Sequence, residues 1–419
     1  MRRLVTTVLV LVALVVPSAP AVASPPATAE EQLAWFVDAS ARAPVSEAEQ
    51  RAHLSAEFLA AIGGPAAFNE TLTGLGPLTL DRIVDSSPAS LQAVLSDFLV
   101  VLAVDDAGLV STLQLTPHVP SPQSWSELDS RLRTLAPQVS FTTSSVDDGC
   151  RPIHEVDGNR ARPLGSAFKL YVLSALGRAV ADGRASWDQN LPIRDEWKSL
   201  PSGVLQDRPA GTPVTLREHA NLMISISDNT ATDHLVHFLG RRAVLREMTA
   251  HGNDRDRNKP LLTTRELFTL KGFRYPALAD TYLSFPRGLR AALLPVLNEV
   301  PRERIVPWTE PRDIGSIEWF GSPTDMCRIL AGLRSLDDPA VATAMSISDG
   351  QIGLDRDEFP TVWFKGGSEP GVLTVNYLAR TADGRTLVSS VMLADPDGAL
   401  DPSITPKAIA LARGGLELA

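Results

Sequence analysis

The sequence is poor in cysteine and lacks the patterns that most metal and cofactor sites require. Cys150 and Cys327 are its two cysteines among 419 residues, and no Cys/His cluster has the spacing of metal ligands. No glycine-rich loop resembles a phosphate-binding loop. We therefore expect neither a metal nor another cofactor. The two cysteines could pair as a disulfide in an oxidising compartment or remain separate buried thiols, and their spacing does not decide between these states.

An excess of positive charge is also missing. The chain has 39 Lys and Arg residues against 49 Asp and Glu, a net charge of −10 at pH 7, and no basic patch offsets this acidity. The balance argues against nucleic acid as a partner, because a nucleic-acid-binding surface concentrates Lys and Arg. The composition, 44% hydrophobic and 21% charged, is that of a globular protein, and the length favours two or three domains.

Only one long hydrophobic run is present, at the start of the chain. Arg2 and Arg3 precede an apolar run at residues 4–16, and small residues at 21–23 form a cleavage site. The run is too short to span a bilayer comfortably. We expect residues 1–23 to be a signal peptide and the mature protein to be secreted, without a stable membrane anchor. The alternative is an uncleaved anchor.

Residues 28–115 predict a small α+β domain. Apolar residues at helical spacing indicate helices at 30–39 and 46–62. Two extended apolar stretches, 78–84 and 98–115, predict strands, and a turn folds the second stretch into a hairpin.

A linker and a second domain follow. Residues 116–123 carry three prolines and predict the linker. Residues 124–419 begin with a helix and a hairpin, continue with a mostly helical stretch, and end with three strands and a helix. Strands at both ends predict one sheet that is built from both ends of this domain. The expected fold class is α+β or α/β, with a helical subdomain beside an antiparallel sheet.

The first chemical motif is a serine and a lysine at the start of an apolar helix. Gly165 interrupts the chain just before Ser166, and Lys169 follows three residues later, so both side chains share one helical face. A serine hydroxyl is a weak nucleophile until a base takes its proton, and a buried lysine with a lowered pKa can be that base. Taken alone, a capping serine beside a solvated lysine explains the pair more simply.

Two further motifs lie downstream. Ser227, Asp228 and Asn229 interrupt two helical segments, which alone is typical of a break between helices. Lys365 ends an alternating strand, and the two glycines after it would let a ligand approach the backbone closely. An edge strand with a protective lysine has the same pattern.

The motifs Ser-x-x-Lys, Ser-Asp-Asn and Lys-x-Gly, in this order, resemble those of the class A β-lactamase and penicillin-binding-protein superfamily of active-site serine enzymes. The resemblance covers residues from about Gln138 to Ala419, and the stretches at 201–207 and 261–268 add to it. It implies a β-lactamase-like serine hydrolase fold and a covalent acyl-enzyme.

The resemblance also implies a role for each motif residue. Ser166 would be the acylated nucleophile, and Lys169 would be its base or the partner of that base. Ser227 would pass a proton to the leaving group, and Asn229 would hold the substrate's amide or acyl chain. Lys365 would supply positive charge to the substrate and to Ser227.

Further substrate contacts are implied along the late strand. The backbone N–H groups of Ser166 and Ser368 would form the oxyanion hole, and Gly367 and Ser368 would bind the substrate. Gly366 departs from the family pattern, because other members carry a Thr or Ser hydroxyl there and use it toward a substrate carboxylate. The departure removes one contact to such a carboxylate.

A second departure concerns the base that releases the acyl group. Class A β-lactamases carry a glutamate on the loop after the Ser-Asp-Asn helix. The corresponding segment here is interpreted as residues 251–262; it has no glutamate, and its Asp254 and Asp256 are interpreted as solvated loop charges. We therefore expect slow or no β-lactam turnover.

The chain is also longer than compact β-lactamases. The additional residues, about 271–317, are interpreted as widening the core and not as a roof over the site. Trp319 and Phe320 are interpreted as core residues.

The N-terminal domain resembles the cone-shaped fold of steroid isomerases and polyketide cyclases, and we expect it to have a structural or recognition role. The two-domain layout is similar to that of the β-lactamase-like protein of the clavulanic acid gene cluster.

Together these features favour an exported serine hydrolase, an esterase or amidase with weak or no β-lactamase activity. Its partner would be a small-molecule acyl substrate: an ester, a β-lactam or a peptide-like molecule. Two alternatives stay open. One is a class A-like β-lactamase or D,D-peptidase, and the other is a non-catalytic ligand-binding module on the same fold. The sequence leaves the oligomeric state undetermined.

Overall fold

A computed structural model describes residues 26–254 and 256–419 of the chain, and the predicted signal peptide at 1–23 lies outside them. Of the helices in the described part, none combines the length and the apolar character that crossing a membrane requires. The backbone divides into two compact units. Their described residues are 26–77, 87–90 and 102–113 in the first, and 78–86, 91–101, 114–254 and 256–419 in the second.

The N-terminal part consists of four helices followed by a four-stranded sheet of order β1-β2-β3-β4. In chain order the elements are α1 (Ala29–Ala41), α2 (Glu47–His53), α3 (Ala56–Ala61), α4 (Pro65–Leu75), β1 (Leu80–Ser86), β2 (Ser90–Leu95), β3 (Phe98–Val104) and β4 (Val110–Pro117).

The prediction of one helix over 46–62 is wrong, because Leu54 and Ser55 separate α2 from α3. Leu54 has an extended backbone and forms a β-bridge with Val110. The Ser55 side chain then accepts a hydrogen bond from the Phe58 N–H and caps α3. The bridge to Val110 is a tertiary contact, and it overrides a helical sequence pattern that continues through the break.

Strand β2 was also not predicted.

The remaining elements form the larger part of the fold. They are α5 (Trp125–Leu132), β5 (Gln138–Ser145), β6 (Arg151–Val156), β7 (Arg162–Pro163), a 3₁₀ turn (Gly165–Phe168), α6 (Lys169–Ala181), α7 (Leu216–Ser225), α8 (Asn229–Leu239), α9 (Arg241–Ala250), α10 (Thr264–Gly272), α11 (Ala277–Ser284), α12 (Arg287–Arg290), α13 (Leu294–Asn298), β8 (Phe320–Gly321), α14 (Pro323–Ser335), α15 (Pro339–Ser346), β9 (Thr361–Glu369), β10 (Val372–Arg380), β11 (Thr386–Ala394) and α16 (Ile404–Glu417).

A five-stranded antiparallel sheet of order β6-β5-β11-β10-β9 organises this part. It confirms the prediction of one sheet built from both ends of the domain. Both faces are covered, since Tyr377 and Leu411 belong to the core on the side of α5 and α16, whereas Leu378 and Val388 belong to the core of the helical subdomain. Coverage of both faces accounts for β11, whose nine residues are all buried.

The two cysteines, whose state the sequence left open, form a disulfide. Cys150 lies just before β6 and Cys327 lies on α14, and their Cα atoms are 5.9 Å apart. The bond links residues 177 positions apart and so ties the edge hairpin of the sheet to the helical subdomain. A cross-link of this kind restricts the unfolded chain more than the folded one.

Replacing both cysteines, Cys150→Ser with Cys327→Ser, should lower the free energy of unfolding by about 2–4 kcal/mol, because the long loop is no longer closed in the unfolded state. Urea denaturation of the oxidised wild type, the reduced wild type and the double variant measures this. The reduced wild type should resemble the double variant. Equal midpoints for the oxidised protein and the variant would contradict a stabilising cross-link.

Candidate functional site

Ser166 lies in a 3₁₀ turn that packs directly on β9. Gly165, before it, has φ of +48°, and a Cβ there would lie 2.9 Å from the Ser368 nitrogen. A Cβ on Gly367 would lie 2.1 Å from the Leu164 carbonyl oxygen and 2.6 Å from the Ser166 nitrogen. Glycine is therefore required on both sides of this contact. The contact brings the Ser166 backbone against that of the strand that carries Ser368.

Lys169, the first residue of α6, has a fully buried side chain. Its ammonium Nζ donates to the Ser227 carbonyl oxygen at 2.7 Å, to Ser227 Oγ at 3.0 Å and to Asn229 Oδ1 at 2.7 Å. Burial, and then the charge of Lys365, lower the pKa of Lys169 well below its ordinary value. A lysine in this state can give up its proton and act as a base.

Lys365 reaches the same serine from β9. Its Nζ donates to Ser227 Oγ at 3.1 Å and to the Gly366 carbonyl oxygen at 2.8 Å. Burial lowers the pKa of Lys365 to about 7. The Ser227 hydroxyl thus lies between two lysines. Ser227 also has φ of +58°, a strained value for a residue other than glycine, and such strain is often found at functional sites.

Asp228 holds the junction between α7 and α8 in place. Its buried carboxylate accepts from the Ala231 N–H at 2.8 Å and caps α8. The other oxygen accepts from the N–H groups of Val204 and Leu205, at 2.7 and 2.9 Å. The loop at 201–207, noted in the sequence, is therefore bound to the junction that positions Ser227.

A cavity of about 910 Å³ opens at this point, near the upper end of the roughly 300–1,000 Å³ common for small-molecule sites. Lys169 is buried, and the other predicted site residues line the cavity: Ser166, Ser227, Asn229, Lys365, Gly367 and Ser368. The structure thus brings together every residue proposed from the sequence. Among residues 26–254 and 256–419, no cluster of three or more His, Cys, Asp or Glu side chains is arranged to hold a metal ion.

Two tryptophans, Trp308 and Trp319, lie in the cavity wall, where the sequence analysis did not place them. Trp319 stacks on Phe168 with ring centroids 3.8 Å apart, and it also lines the cavity. It is thus a wall residue as well as a core residue, whereas Phe320 is buried as predicted. Trp308, from the segment 271–317, lines the cavity too. That segment therefore does more than widen the core.

The segment 251–262 was interpreted as the counterpart of the loop that carries the deacylation base, and this placement is wrong, because none of its described residues lines the cavity. Asp254 and Asp256 are exposed, which confirms their interpretation as solvated loop charges. The carboxylates in its lining are Glu318 and Glu369, and the sequence analysis missed both. A signal existed for Glu369, because strand alternation places it on the same face as Lys365. No local pattern marks Glu318.

Comparison with known proteins supports the fold. Residues 125–280 match the model of the Beta-lactamase enzyme family, and residues 24–110 match the model of the ORF 12 gene product N-terminal region. No curated protein is a significant match. Many solved structures are similar, and three of them are described as examples. A β-lactamase from Sphaerobacter thermophilus DSM 20745 is 20% identical, with 70% of this chain and 97% of that chain covered and a TM-score of 0.50.

A mutant of the class A β-lactamase of the last common ancestor of Gram-negative bacteria is 18% identical, with 70% of this chain and 97% of that chain covered and a TM-score of 0.50. PBP-A is 18% identical, with 72% and 100% covered and a TM-score of 0.48. At such identities the likeness concerns the fold. The two structures with a TM-score of 0.50 confirm the predicted β-lactamase-like fold, and the family match at residues 125–280 supports the resemblance noted in the sequence. The steroid-isomerase-like character of the N-terminal domain stays a prediction.

Asp228→Ala should lower the free energy of unfolding by about 3 kcal/mol, because three N–H groups lose their charged acceptor. Chemical denaturation measures the loss, and hydrogen exchange should increase at the Val204 and Leu205 amides. Asp254→Ala, on an exposed loop, is the matched control and should change stability by less than about 0.5 kcal/mol. Equal effects of the two substitutions would show that Asp228 does not hold the loop.

Proposed function

We propose that this protein is an active-site serine hydrolase that works through an acyl-enzyme on Ser166, as an esterase or amidase. The observation that carries the proposal is the buried Lys169, whose ammonium contacts Ser227 and Asn229 one helical turn from Ser166. A structural lysine gains little from such a position, since burying a cation is costly. A lysine that acts as a base needs such burial, because burial lowers the pKa of its amino group.

The proposed reaction begins when the Ser166 hydroxyl oxygen attacks the substrate carbonyl carbon. The new C–O bond forms as the hydroxyl proton moves to a neutral Lys169, and the carbonyl oxygen becomes an oxyanion held by the N–H groups of Ser166 and Ser368. Collapse of this intermediate breaks the bond to the leaving group, which receives a proton from Ser227. The proton on Lys169 restores the Ser227 hydroxyl. Water then adds to the acyl carbon, and Ser166 leaves with a proton.

The esterase or amidase assignment follows from the charges around the cavity. Among the described residues that line the cavity, Lys365 is the one lysine or arginine, and Gly366 offers no hydroxyl toward a substrate carboxylate. The other ionisable side chains in the described lining are the carboxyl groups of Glu318 and Glu369, which offer no positive charge to a substrate carboxylate. These features support a neutral acyl substrate. The β-lactamase family match at residues 125–280 keeps β-lactam hydrolysis as the second candidate.

We also propose that the mature protein is exported. The disulfide between Cys150 and Cys327 supports this, because such bonds persist mainly in oxidising compartments. N-terminal sequencing of the protein recovered from the culture medium tests the predicted cleavage after residue 23. Recovery from the cells alone, with the leader still attached, would contradict export.

The first experiment incubates the protein with a penicillin and, separately, with a fluorophosphonate, and measures the intact mass. Stable adducts from both reagents, mapped to Ser166, would support an acyl-enzyme that is slow to hydrolyse. An adduct from the fluorophosphonate alone would support an esterase that rejects β-lactams. Rapid nitrocefin hydrolysis would instead favour the β-lactamase candidate. Inertness to all three reagents and to p-nitrophenyl acetate would favour the binding module.

Ser166→Ala should abolish hydrolysis of p-nitrophenyl acetate without changing the melting temperature, because the partly exposed hydroxyl is removed and nothing replaces its nucleophilicity. Lys169→Ala should reduce kcat/KM by at least about 10²-fold through loss of the base. Ser335→Ala, on an exposed position of α14, is the control and should behave as wild type. Normal turnover by the Ser166 variant would refute the mechanism.

The pH profile of kcat/KM should be bell-shaped. Activity rises as Lys169 loses its proton, and the pKa of that group is lowered by burial. Activity falls as Lys365 loses the positive charge that acts on Ser227, so the alkaline limb should lie near the pKa of about 7 that burial gives Lys365. Steady-state rates with a neutral ester measure both limbs. An alkaline limb above pH 9 would rule out this role for the Lys365 charge.

A further inference from the structure

Three buried ionisable side chains meet at one edge of the cavity and play no part in the proposed reaction. Lys271 comes from α10, Glu318 lies just before β8, and Glu369 ends β9. The Lys271 ammonium lies 2.5 Å from Glu369 Oε1 and 3.9 Å from Glu318 Oε1. The side chains of Lys271 and Glu318 are 0% and 1% exposed. We call these three residues the acid–lysine cluster.

It is electrostatically unfavourable for all three side chains of the acid–lysine cluster to be charged at once. One ammonium faces two carboxylates, and the carboxyl groups of Glu318 and Glu369 are hydrogen-bond neighbours. Burial, and then the charge of Glu369, raise the pKa of Glu318 well above its ordinary value, while Lys271 opposes the shift. Glu369 Oε2 is buried and receives no hydrogen bond from a donor. A proton on Glu318 would supply that missing donor.

Glu318 also reaches the turn that carries the proposed nucleophile. Its Oε2 accepts hydrogen bonds from the Gly165 N–H at 3.2 Å and from the Trp319 N–H at 2.8 Å. Gly165 is the residue directly before Ser166, and it packs on the Ser368 nitrogen. The carboxyl group of Glu318 therefore links the buried Lys271–Glu369 pair to the backbone that would form the oxyanion hole.

We propose that Glu318 is a positioning residue that works in its protonated form. Its Oε2 holds the Gly165 N–H and so fixes the Ser166 turn against β9, and its O–H group donates to Glu369, which Lys271 holds in turn. The backbone amides of Ser166 and Ser368 are thereby held in position for the oxyanion hole, and a protonated Glu318 places no negative charge beside them. The inference rests on the proposed function and names a part of the same site.

The protonated form makes a prediction that an ionised Glu318 does not. A carboxylate at this position would act as the base that activates water for deacylation, and an amide could not replace it. A protonated carboxyl group is matched by glutamine, whose amide oxygen accepts from Gly165 and whose NH₂ group donates to Glu369. Alanine removes both contacts. The pair of variants Glu318→Gln and Glu318→Ala therefore separates the two roles.

The kinetic test compares the wild type with both variants, using p-nitrophenyl acetate for kcat and KM and a fluorophosphonate for the rate of Ser166 labelling. Glu318→Ala should lower kcat and the labelling rate by about 10²-fold, with KM changed less than threefold, because the turn loses its register. Glu318→Gln should restore both rates to at least about a third of wild type. Equal losses in the two variants would overturn the proposal. Circular dichroism confirms folding, and Glu310→Gln, at an exposed position, is the matched control.

A second measurement does not need activity. The raised pKa of Glu318 in the folded state means that its contribution to stability is present at low pH and is lost as the pH rises from the ordinary glutamate pKa toward the folded-state value. The Glu318→Gln variant does not lose stability in this way as the pH rises, because an amide does not titrate. The melting temperature of Glu318→Gln relative to wild type should therefore rise from pH 4.5 upward and then level off, whereas Glu310→Gln shows no trend.

A difference that does not vary with pH would overturn the protonated Glu318, whatever the kinetics show. If the wild type reacts with neither the ester nor the fluorophosphonate, the proposed hydrolase function fails. The pH dependence of the melting temperatures then still decides whether Glu318 holds a proton in the folded protein. The two failures are thus distinguishable.

Discussion

The burial of the Lys169 ammonium is the constraint on which the rest of the site depends. A cation without exposed surface must find acceptors inside the protein, and Lys169 finds them on Ser227 and Asn229. Those acceptors exist only if the chain leaves the helical path between α7 and α8. Asp228 maintains that break by capping α8 and binding the loop at 201–207. The hydrogen bonds of the buried Lys169 amino group thus depend on the break between α7 and α8.

Much of this arrangement could be predicted from the sequence, because each motif carries its own local signal. A serine at a helix start, a capping Ser-Asp-Asn junction and two glycines after a strand lysine are each visible in a few residues. The predicted strand end at Lys365 is wrong, because β9 continues through both glycines to Glu369. Their order resembles that of the β-lactamase superfamily, and this resemblance implies that the motifs meet. The strands at both ends of the domain likewise predicted one sheet built from both ends. The break at Leu54 was not predictable, since the bridge to Val110 that causes it is a long-range contact.

Most of the residues that the sequence analysis missed share one property. No local sequence pattern marks them, and only the fold brings them to the cavity. Trp308 and Trp319 come from segments that read as core, and both also form cavity wall. Glu318 reads as a solvated charge, yet its side chain is almost fully buried beside Lys271. The opposite error concerns the segment 251–262. Its position along the chain suggested that it lies at the site, but none of its described residues lines the cavity.

The strand order β6-β5-β11-β10-β9 has a consequence for the time at which the site forms during protein synthesis. Strand β5 emerges early, but its inner partner β11 consists of residues 386–394, near the end of the chain. Until then β5 has an open edge, and the Ser166 turn has no complete sheet to pack against. The proposed nucleophile is therefore translated long before it can react. The reactive centre cannot be complete before residues 386–394 have been translated, so a chain that terminates before them carries the serine but not the full sheet against which its turn packs.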